Sequence, residues 1–170
     1  LLNSPAKINL TLKILGFDKK LSKHKLSSKV VLLRFSDNIK ISKSNNLYIN
    51  YIKDNSKIII KNDIVKKTIK YFDKKYDKCS NFNIVINKKI PVGYGLGGGS
   101  SNAATILKFL YDYNNINIKN YYQDAPIIGS DVLLFKDKYP KIIDGLHSYK
   151  KLKLTNPRWK KIFILFPSKI

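Results

Sequence analysis

The sequence has no methionine, a single cysteine and a single tryptophan among its 170 residues. One cysteine, Cys79, excludes an internal disulfide bond and a metal cluster built on several cysteines. The chain also lacks an apolar run long enough to span a membrane, and its first residues lack the features of a signal peptide. We therefore expect a soluble protein. Because an initiator methionine is missing, we also expect a processed chain or a piece of a longer one.

Acidic residues are scarce as well: 11 Asp and Glu stand against 33 Lys and Arg, which gives a net charge of +22. Such a charge attracts polyanions, either nucleic acid or small phosphorylated ligands. The lysines are spread along the chain together with Asn, Ile and Tyr, as AT-rich codons would produce. No stretch combines lysines with aromatic residues as a base-stacking surface does, so we do not expect a nucleic-acid partner.

Glycine is also sparse, but five of the eight glycines fall between positions 93 and 99. The alternation of Phe82, Ile84 and Ile86 predicts a strand before this loop, and the apolar spacing of 103–111 predicts a helix after it. Ser100 or Ser101 is the predicted cap of that helix. A strand, a glycine loop and a helix start collect free backbone N–H groups at one point, which favours a phosphate site. The alternative is a flexible linker, which is rarely flanked by two periodic elements.

Two common phosphate-binding patterns fit this loop poorly. The P-loop pattern requires a lysine directly before the serine, and Gly99 stands there. The dinucleotide pattern can be aligned with Gly93, Gly95 and Gly98, but only Asp124 provides the acidic residue that is expected about 20 positions later.

Elsewhere, the period-two alternation of residues 8–14 predicts a strand that places Lys7 and Asn9 on one side. By itself this pattern favours a solvated position for Lys7 on an edge strand. Asp131, taken alone, is predicted to be an ordinary helix cap. Strands first and helices later are typical of a two-layer α+β domain. The other predicted elements are strands at 26–35, 37–43, 47–51, 57–60, 142–143 and 160–166, a helix from Asn62 or Asp63 to Tyr76, a short helix at 118–124 ending before Pro126, and a helix after Ser130 or Asp131.

Three motifs together resemble the GHMP family of small-molecule kinases. The string from Pro91 to Ala104, Pro-x-Gly-x-Gly-Leu-Gly-Gly-Gly-Ser-Ser-Asn-Ala-Ala, is similar to the family's phosphate loop. Pro-Ala-Lys-Ile-Asn-Leu at 5–10 and Gly-Ser-Asp-Val at 129–132 look like two further family motifs, in the family's order. Within the family, the resemblance is to the kinases that act on a cytidine-diphosphate-linked methylerythritol. It covers nearly the whole chain but only about the first half of a typical member.

The resemblance implies a fold and a reaction. The fold would be the α+β, two-layer GHMP kinase N-terminal domain, similar to domain 2 of ribosomal protein S5, over residues 1–156. Residues 157–170 would begin a second domain. The reaction would phosphorylate a hydroxyl of 4-diphosphocytidyl-2-C-methyl-D-erythritol from ATP and Mg²⁺, in non-mevalonate isoprenoid synthesis. The alternatives are a homoserine, mevalonate or galactose kinase, or a non-catalytic RNA-binding module. A plastid-type organelle or the bacterial cytoplasm is the expected location.

The resemblance also implies roles for individual residues. Lys7 and Asp131 would be the catalytic pair, with Asp131 accepting or orienting the substrate hydroxyl and Lys7 stabilising charge on the phosphoryl group. Asn9 and His24 would bind substrate, His24 at the cytosine, although Lys23 replaces the family's aromatic residue. No metal ligands are predicted. The implied ATP-binding residues are Asn62, Lys88, Gly93, Gly95, Leu96, Gly97, Gly98, Gly99, Ser100 and Ser101.

Overall fold

The fold is known from a computed structural model that describes residues 1–19, 22–145, 148–151 and 162–165. Two long strands open the chain, and helices follow later, as the order of apolar patterns predicts. The strands in this part are β1 (Leu2–Asp18), β2 (Lys23–Lys43), β3 (Tyr48–Lys53), β4 (Ser56–Ile58), β5 (Phe82–Asn87), β6 (Lys141–Gly145) and β7 (Ser148–Lys151), and the α-helices are α1 (Ile64–Tyr76), α2 (Gly98–Tyr113) and α3 (Tyr121–Ile128), with 3₁₀ helices at Ile118–Asn120 and Val132–Phe135.

The strands form one sheet that is centred on β2. β1 runs antiparallel along β2, while β5 and β6 pair antiparallel with its two halves. β3 lies parallel to β5, and β4 and β7 extend the sheet at its two ends. Irregularities interrupt the β1–β2 register at three points, one of them between Asn9 and Thr11. β1 pairs with β2 alone, so Lys7 and Asn9 lie on an edge strand beside the central strand of the sheet.

The helices pack on the sheet and bury the main apolar core of the described residues, and a smaller cluster forms around Ile90. In α1, Val65, Ile69 and Phe72 are buried, as their helical spacing predicts. α2 lies more deeply, because its apolar residues from Ala103 to Leu110 are shielded around most of the helix. Ile84 and Ile86 of β5 face the same core. This is the predicted two-layer α+β architecture.

The strands are longer than the sequence predicts. β1 extends the predicted strand at 8–14 in both directions, and β2 is one strand where two were predicted, at 26–35 and 37–43. The prediction divided β2 at its polar residues. Asp37 does not interrupt the strand, because the backbone N–H groups of Lys89 and Ile90 both donate to its buried carboxylate at 2.8 Å. Backbone pairing therefore continues past a residue that usually ends strands.

Of the three predicted helix caps, the one at Ser100 or Ser101 is wrong, the one at Asp131 is correct in position only, and the one at Asp63 is confirmed. α2 starts at Gly98 after Gly97, and the Ser101 hydroxyl is buried, where it accepts a hydrogen bond from Ser4 at 2.8 Å. Asp131 is the N-cap residue of the 3₁₀ helix, but its side chain makes no capping hydrogen bond, because its carboxylate turns towards Lys7. Asp63 is the cap of α1 and accepts from the N–H of Lys66 at 3.0 Å.

Two other predicted ends differ from the structure. α3 continues through Pro126 to Ile128, held by the buried side chains of Ala125 and Ile128. Of the predicted strand at 160–166, residues 162–165 lie in no strand and the rest fall outside the described residues, as does most of the predicted second domain at 157–170. No helix in the described ranges is long and apolar enough to cross a membrane.

Candidate active site

The glycine loop forms one wall of a cavity of about 260 Å³. The opposite wall is apolar and comes from the end of β3 and the start of α1, and Lys88 adds a cation beside the loop. A cavity with an apolar wall and a polar end suits a nucleotide, because the base and the phosphates need different surroundings. The lining residues are Tyr51, Ile60, Ile64, Val65, Lys88, Pro91, Val92, Gly93, Tyr94, Gly95, Leu96, Gly97, Gly98, Gly99, Ser100 and Asn102.

The N-terminus of α2 supplies the polar end of the cavity. Its N-cap residue, Gly97, has φ 70° and ψ 19°, and among the described residues no side chain caps the helix. The first N–H groups of a helix have no partner within the helix and carry partial positive charge. Close by, the buried Oδ1 of Asn102 finds no hydrogen-bond partner in the described part of the chain. The N–H groups fit a bound phosphate chain, whereas the oxygen of Asn102 only accepts and needs a hydrogen-bond donor or a cation.

Gly97 also allows the loop to approach the first strand. A Cβ at this position would lie 2.9 Å from Cγ of Lys7 and 2.9 Å from Cζ of Phe135. The backbone N–H of Lys7 donates to the carbonyl of Leu96 at 2.9 Å. The loop and the lysine are therefore in direct contact, which no sequence pattern reveals.

Lys7 and Asp131 face each other at the edge of this loop. Nζ of Lys7 lies 3.7 Å from Oδ2 of Asp131, with side-chain exposures of 10% and 40%. β1 presents the lysine, and the segment between α3 and the 3₁₀ helix presents the carboxylate. In such a pair, the nearly buried ammonium can stabilise negative charge on a bound ligand. The accessible carboxylate can accept a proton from it.

Asn9 lies beside this pair on the same side of β1. Its Oδ1 accepts a hydrogen bond from Nζ of Lys7 at 2.6 Å, and its Nδ2 donates to Oγ of Ser28 at 2.7 Å. Ser28 is a further residue of this network that sequence reasoning missed, because the pairing of two distant strands brings it there.

Lys88 is held by a buried carboxylate. Its ammonium donates to Asp37, which is fully buried, and a Cβ at Gly98 would lie 3.2 Å from the same Nζ. Asp37 thus fixes both the lysine and the turn that enters the loop, since it also accepts from two backbone N–H groups there. An acidic residue within an alternating strand is the only sequence signal for this role.

Tyr51 forms part of the apolar wall and was also missed from sequence. Its hydroxyl donates to Oδ1 of Asp63 at 2.6 Å, so the same carboxylate caps α1 and orients the ring. Burial, followed by the hydrogen bond to Asp63 and the negative charge of that residue, raises the pKa of Tyr51 well above its ordinary value. The tyrosine is therefore a neutral donor at physiological pH.

Three predicted site residues lie elsewhere. Asn62 is exposed, in a left-handed turn with φ 54°, and is not among the residues that line the cavity. Ser101 lies behind the cavity wall with its hydroxyl engaged by Ser4. His24 pairs with Phe17 near the far end of β1 and β2, and the two rings lie 5.0 Å apart.

The structure does not bring His24 next to Lys7. Lys7 pairs with Leu32, so eight positions of β2 separate it from His24, or about 26 Å at roughly 3.3 Å per strand residue. Among the described residues, no group of three His, Cys, Asp or Glu side chains could hold a metal ion.

Comparison with known proteins shows which proteins this chain resembles. The family model described as GHMP kinases N terminal domain matches residues 63–132. A crystal structure of 4-(cytidine 5'-diphospho)-2C-methyl-D-erythritol kinase superposes with a TM-score of 0.74 at 22% identity, covering 91% of this chain and 55% of that one. The Methanococcus jannaschii mevalonate kinase gives 0.60 at 15% identity, covering 89% and 55%. Residues 63–132 of this chain thus match the GHMP kinase N-terminal domain, the superposed kinases share its fold, and the predicted α+β fold is confirmed.

Sequence comparison narrows the resemblance. Three bacterial proteins named 4-diphosphocytidyl-2-C-methyl-D-erythritol kinase are similar to this chain, which confirms the resemblance to these kinases that the motifs indicate. That of Ureaplasma parvum serovar 3 is 33% identical over 137 residues (79% of this chain, 52% of that protein). The values are 38% over 138 residues (78% and 48%) for Pelagibacter ubique and 34% over 172 residues (98% and 61%) for Persephonella marina. The chain thus spans about half to three fifths of these relatives' length, and none of the three supports a plastid.

Proposed function

We propose that the protein containing this chain transfers the γ-phosphoryl group of ATP, with Mg²⁺, to a hydroxyl of 4-diphosphocytidyl-2-C-methyl-D-erythritol. The observation that carries this proposal is the position of Lys7. Its stem packs against Gly97 of the phosphate loop, while its ammonium lies 3.7 Å from the carboxylate of Asp131. One lysine thus joins a candidate phosphate site to a candidate base.

The glycine loop and α2 hold the phosphates in this proposal. The uncapped N–H groups at the start of α2 bind phosphate oxygens, and Lys88 offsets part of their charge. The apolar wall of Tyr51, Ile60 and Val65 accepts the base. Mg²⁺ bound with ATP would neutralise further phosphate charge, and the accessible carboxylate of Asp131 would be the side chain that holds it.

Asp131 and Lys7 act on the reacting atoms. The substrate hydroxyl oxygen attacks the γ-phosphorus, the bond from that phosphorus to the bridging oxygen breaks, and ADP leaves. Asp131 accepts the proton of the hydroxyl, while the ammonium of Lys7 stabilises negative charge on the transferred group. The 40% exposure of the Asp131 side chain leaves it accessible to a substrate.

The choice of acceptor rests on sequence similarity. Relatives at 33–38% identity carry the diphosphocytidyl-methylerythritol name, whereas the mevalonate kinase structure shares 15% identity. His24 as a cytosine contact stays a prediction, since its strand position lies far from Lys7. The bacterial relatives support a bacterial cytoplasm over a plastid-type organelle.

An assay of ADP release with the full-length polypeptide tests the proposal. We expect turnover with the diphosphocytidyl substrate and none with mevalonate, homoserine or galactose. Turnover with only one of those three would replace the proposed acceptor. Salt-dependent RNA retention without turnover of any acceptor would instead favour the binding module, because the charge of +22 would then have a ligand.

A further inference from the structure

A chain of three hydrogen bonds leads from the ammonium of Lys7 into the centre of the sheet. Nζ of Lys7 donates to Oδ1 of Asn9 at 2.6 Å, and Nδ2 of Asn9 donates to Oγ of Ser28 at 2.7 Å. The hydroxyl of Ser28 then donates to the carbonyl of Thr11 at 2.5 Å. Asn9 and Ser28 thus each have a defined hydrogen-bond partner on both sides.

Chemistry fixes the direction of every bond in this chain. A backbone carbonyl can only accept, so the hydroxyl of Ser28 must use its proton on Thr11. Its oxygen then accepts from Asn9, which therefore turns its NH₂ group to Ser28 and its carbonyl oxygen to Lys7. The opposite end demands the same orientation, because an ammonium only donates.

Ser28 is well placed to act as the anchor. It is 1% exposed, and its strand is paired on both edges, with Leu12 of β1 and Ile143 of β6 opposite it. The register irregularity between Asn9 and Thr11 lies beside it, and such bulges redirect side chains next to functional sites. Asn9, by contrast, lies on the edge strand β1 and is only partly buried.

We propose that Ser28 is a positioning residue that anchors the amide of Asn9 and, through it, holds the ammonium of Lys7 beside Asp131. This inference rests on the proposed function and assigns a residue that neither the motifs nor the cavity include. Without the Ser28 oxygen, the NH₂ group of Asn9 loses its buried partner, and the amide becomes free to rotate away from Lys7. The ammonium of Lys7 then loses the hydrogen bond that fixes its position beside Asp131.

Kinetics of Ser28→Ala test the consequence for catalysis. We expect kcat to fall about tenfold or more, because small displacements of positioned groups are costly, while KM for ATP changes less than about threefold since the phosphate loop is untouched. Ser28→Thr keeps the hydroxyl and should restore most of kcat. Ser27→Ala is the matched control: the neighbouring serine points to the opposite face of β2 and should leave both constants unchanged.

Exchange of the Asn9 side-chain amide, followed by NMR, is a readout that does not depend on activity. In the wild type we expect its protons to exchange more slowly than those of exposed Asn45 and Asn46, and Ser28→Ala should remove that protection. Unchanged exchange, or changed exchange with unchanged kcat, would overturn the inference. If the wild type does not phosphorylate the cytidine substrate, the proposed function fails, while amide exchange still decides whether Ser28 anchors Asn9.

Discussion

Nζ of Lys7 lies 3.7 Å from Oδ2 of Asp131, although the two residues are 124 positions apart in the sequence. The side chain of Lys7 is nearly buried, whereas the carboxylate of Asp131 is accessible to a ligand. A structural ion pair of this exposure contributes little to stability, typically less than about 1 kcal/mol. Its arrangement at the phosphate loop therefore favours a role in chemistry.

Removal of either charge should lower catalysis more than nucleotide binding. We expect Asp131→Asn to reduce kcat by about 10² to 10⁴, the range for loss of a general base, and Lys7→Ala by about 10² or more. ATP affinity, measured by calorimetry, should stay within about threefold in Asp131→Asn, since the loop is intact. Asp54→Asn, in the exposed turn after β3, is the control. An unchanged kcat in either variant would remove that residue from the mechanism.

Gly97 and Gly95 offer a matched pair for the role of close packing. Both have nearly the same positive φ, 70° and 71°, but a Cβ at Gly97 would meet Lys7 and Phe135 at 2.9 Å while Gly95 faces open space. We expect Gly95→Ala to cost about 1 kcal/mol for backbone strain alone. Gly97→Ala should cost about 1–3 kcal/mol more, because the core has to adjust. Urea unfolding measures the free energy of unfolding of the two variants. Equal losses would mean that the side chains of Lys7 and Phe135 move aside at little cost.

Parts of this site follow from local patterns and other parts do not. Period-two alternation correctly places Lys7 and Asn9 on one side of β1, and the glycine spacing correctly places a loop before a helix. The cap at Ser100 or Ser101 was wrong because cap rules assume that a helix start needs a side chain. This start leaves its N–H groups available. Ser28 could not be predicted, since its role depends on the register of two strands.

Asp37 illustrates the same limit and leads to a prediction about stability. Its carboxylate is fully buried and holds Lys88 together with the N–H groups of Lys89 and Ile90. Asp37→Asn leaves a buried ammonium without its counter-charge, which typically costs about 3–5 kcal/mol.

Asp18→Asn is the control for this prediction, because the Asp18–Lys25 pair is far more exposed and its atoms are 4.0 Å apart. We expect that variant to lose less than about 1 kcal/mol. Thermal unfolding of both proteins compares the two losses. We also expect Asp37→Asn to weaken ATP binding, since Lys88 lines the cavity. Similar unfolding midpoints for both variants would mean that Lys88 finds another partner.

Asp124 connects the three helices and should govern stability in acid. Its carboxylate is fully buried and accepts hydrogen bonds from Lys75, Tyr71, Tyr76 and Tyr111. Burial alone would raise the pKa of Asp124, but the hydrogen bonds from Lys75 and the tyrosines outweigh it, so that the pKa falls below its ordinary value. A depressed folded-state pKa adds stability above the unfolded-state pKa of about 4, and that stability disappears as the pH falls through the folded-state value.

Asp124→Asn should therefore be least stable, relative to wild type, at neutral pH. We expect a loss of about 3 kcal/mol at pH 7, where the wild-type carboxylate is charged and fully bonded. The difference should stay constant down to about pH 5 and shrink below about pH 4 as the wild-type carboxylate takes up its proton. Urea unfolding at several pH values measures this, with Asp112→Asn on the exposed side of α2 as the control. A difference that does not change with pH would mean that packing, and not the charge of Asp124, joins α3 to α1 and α2.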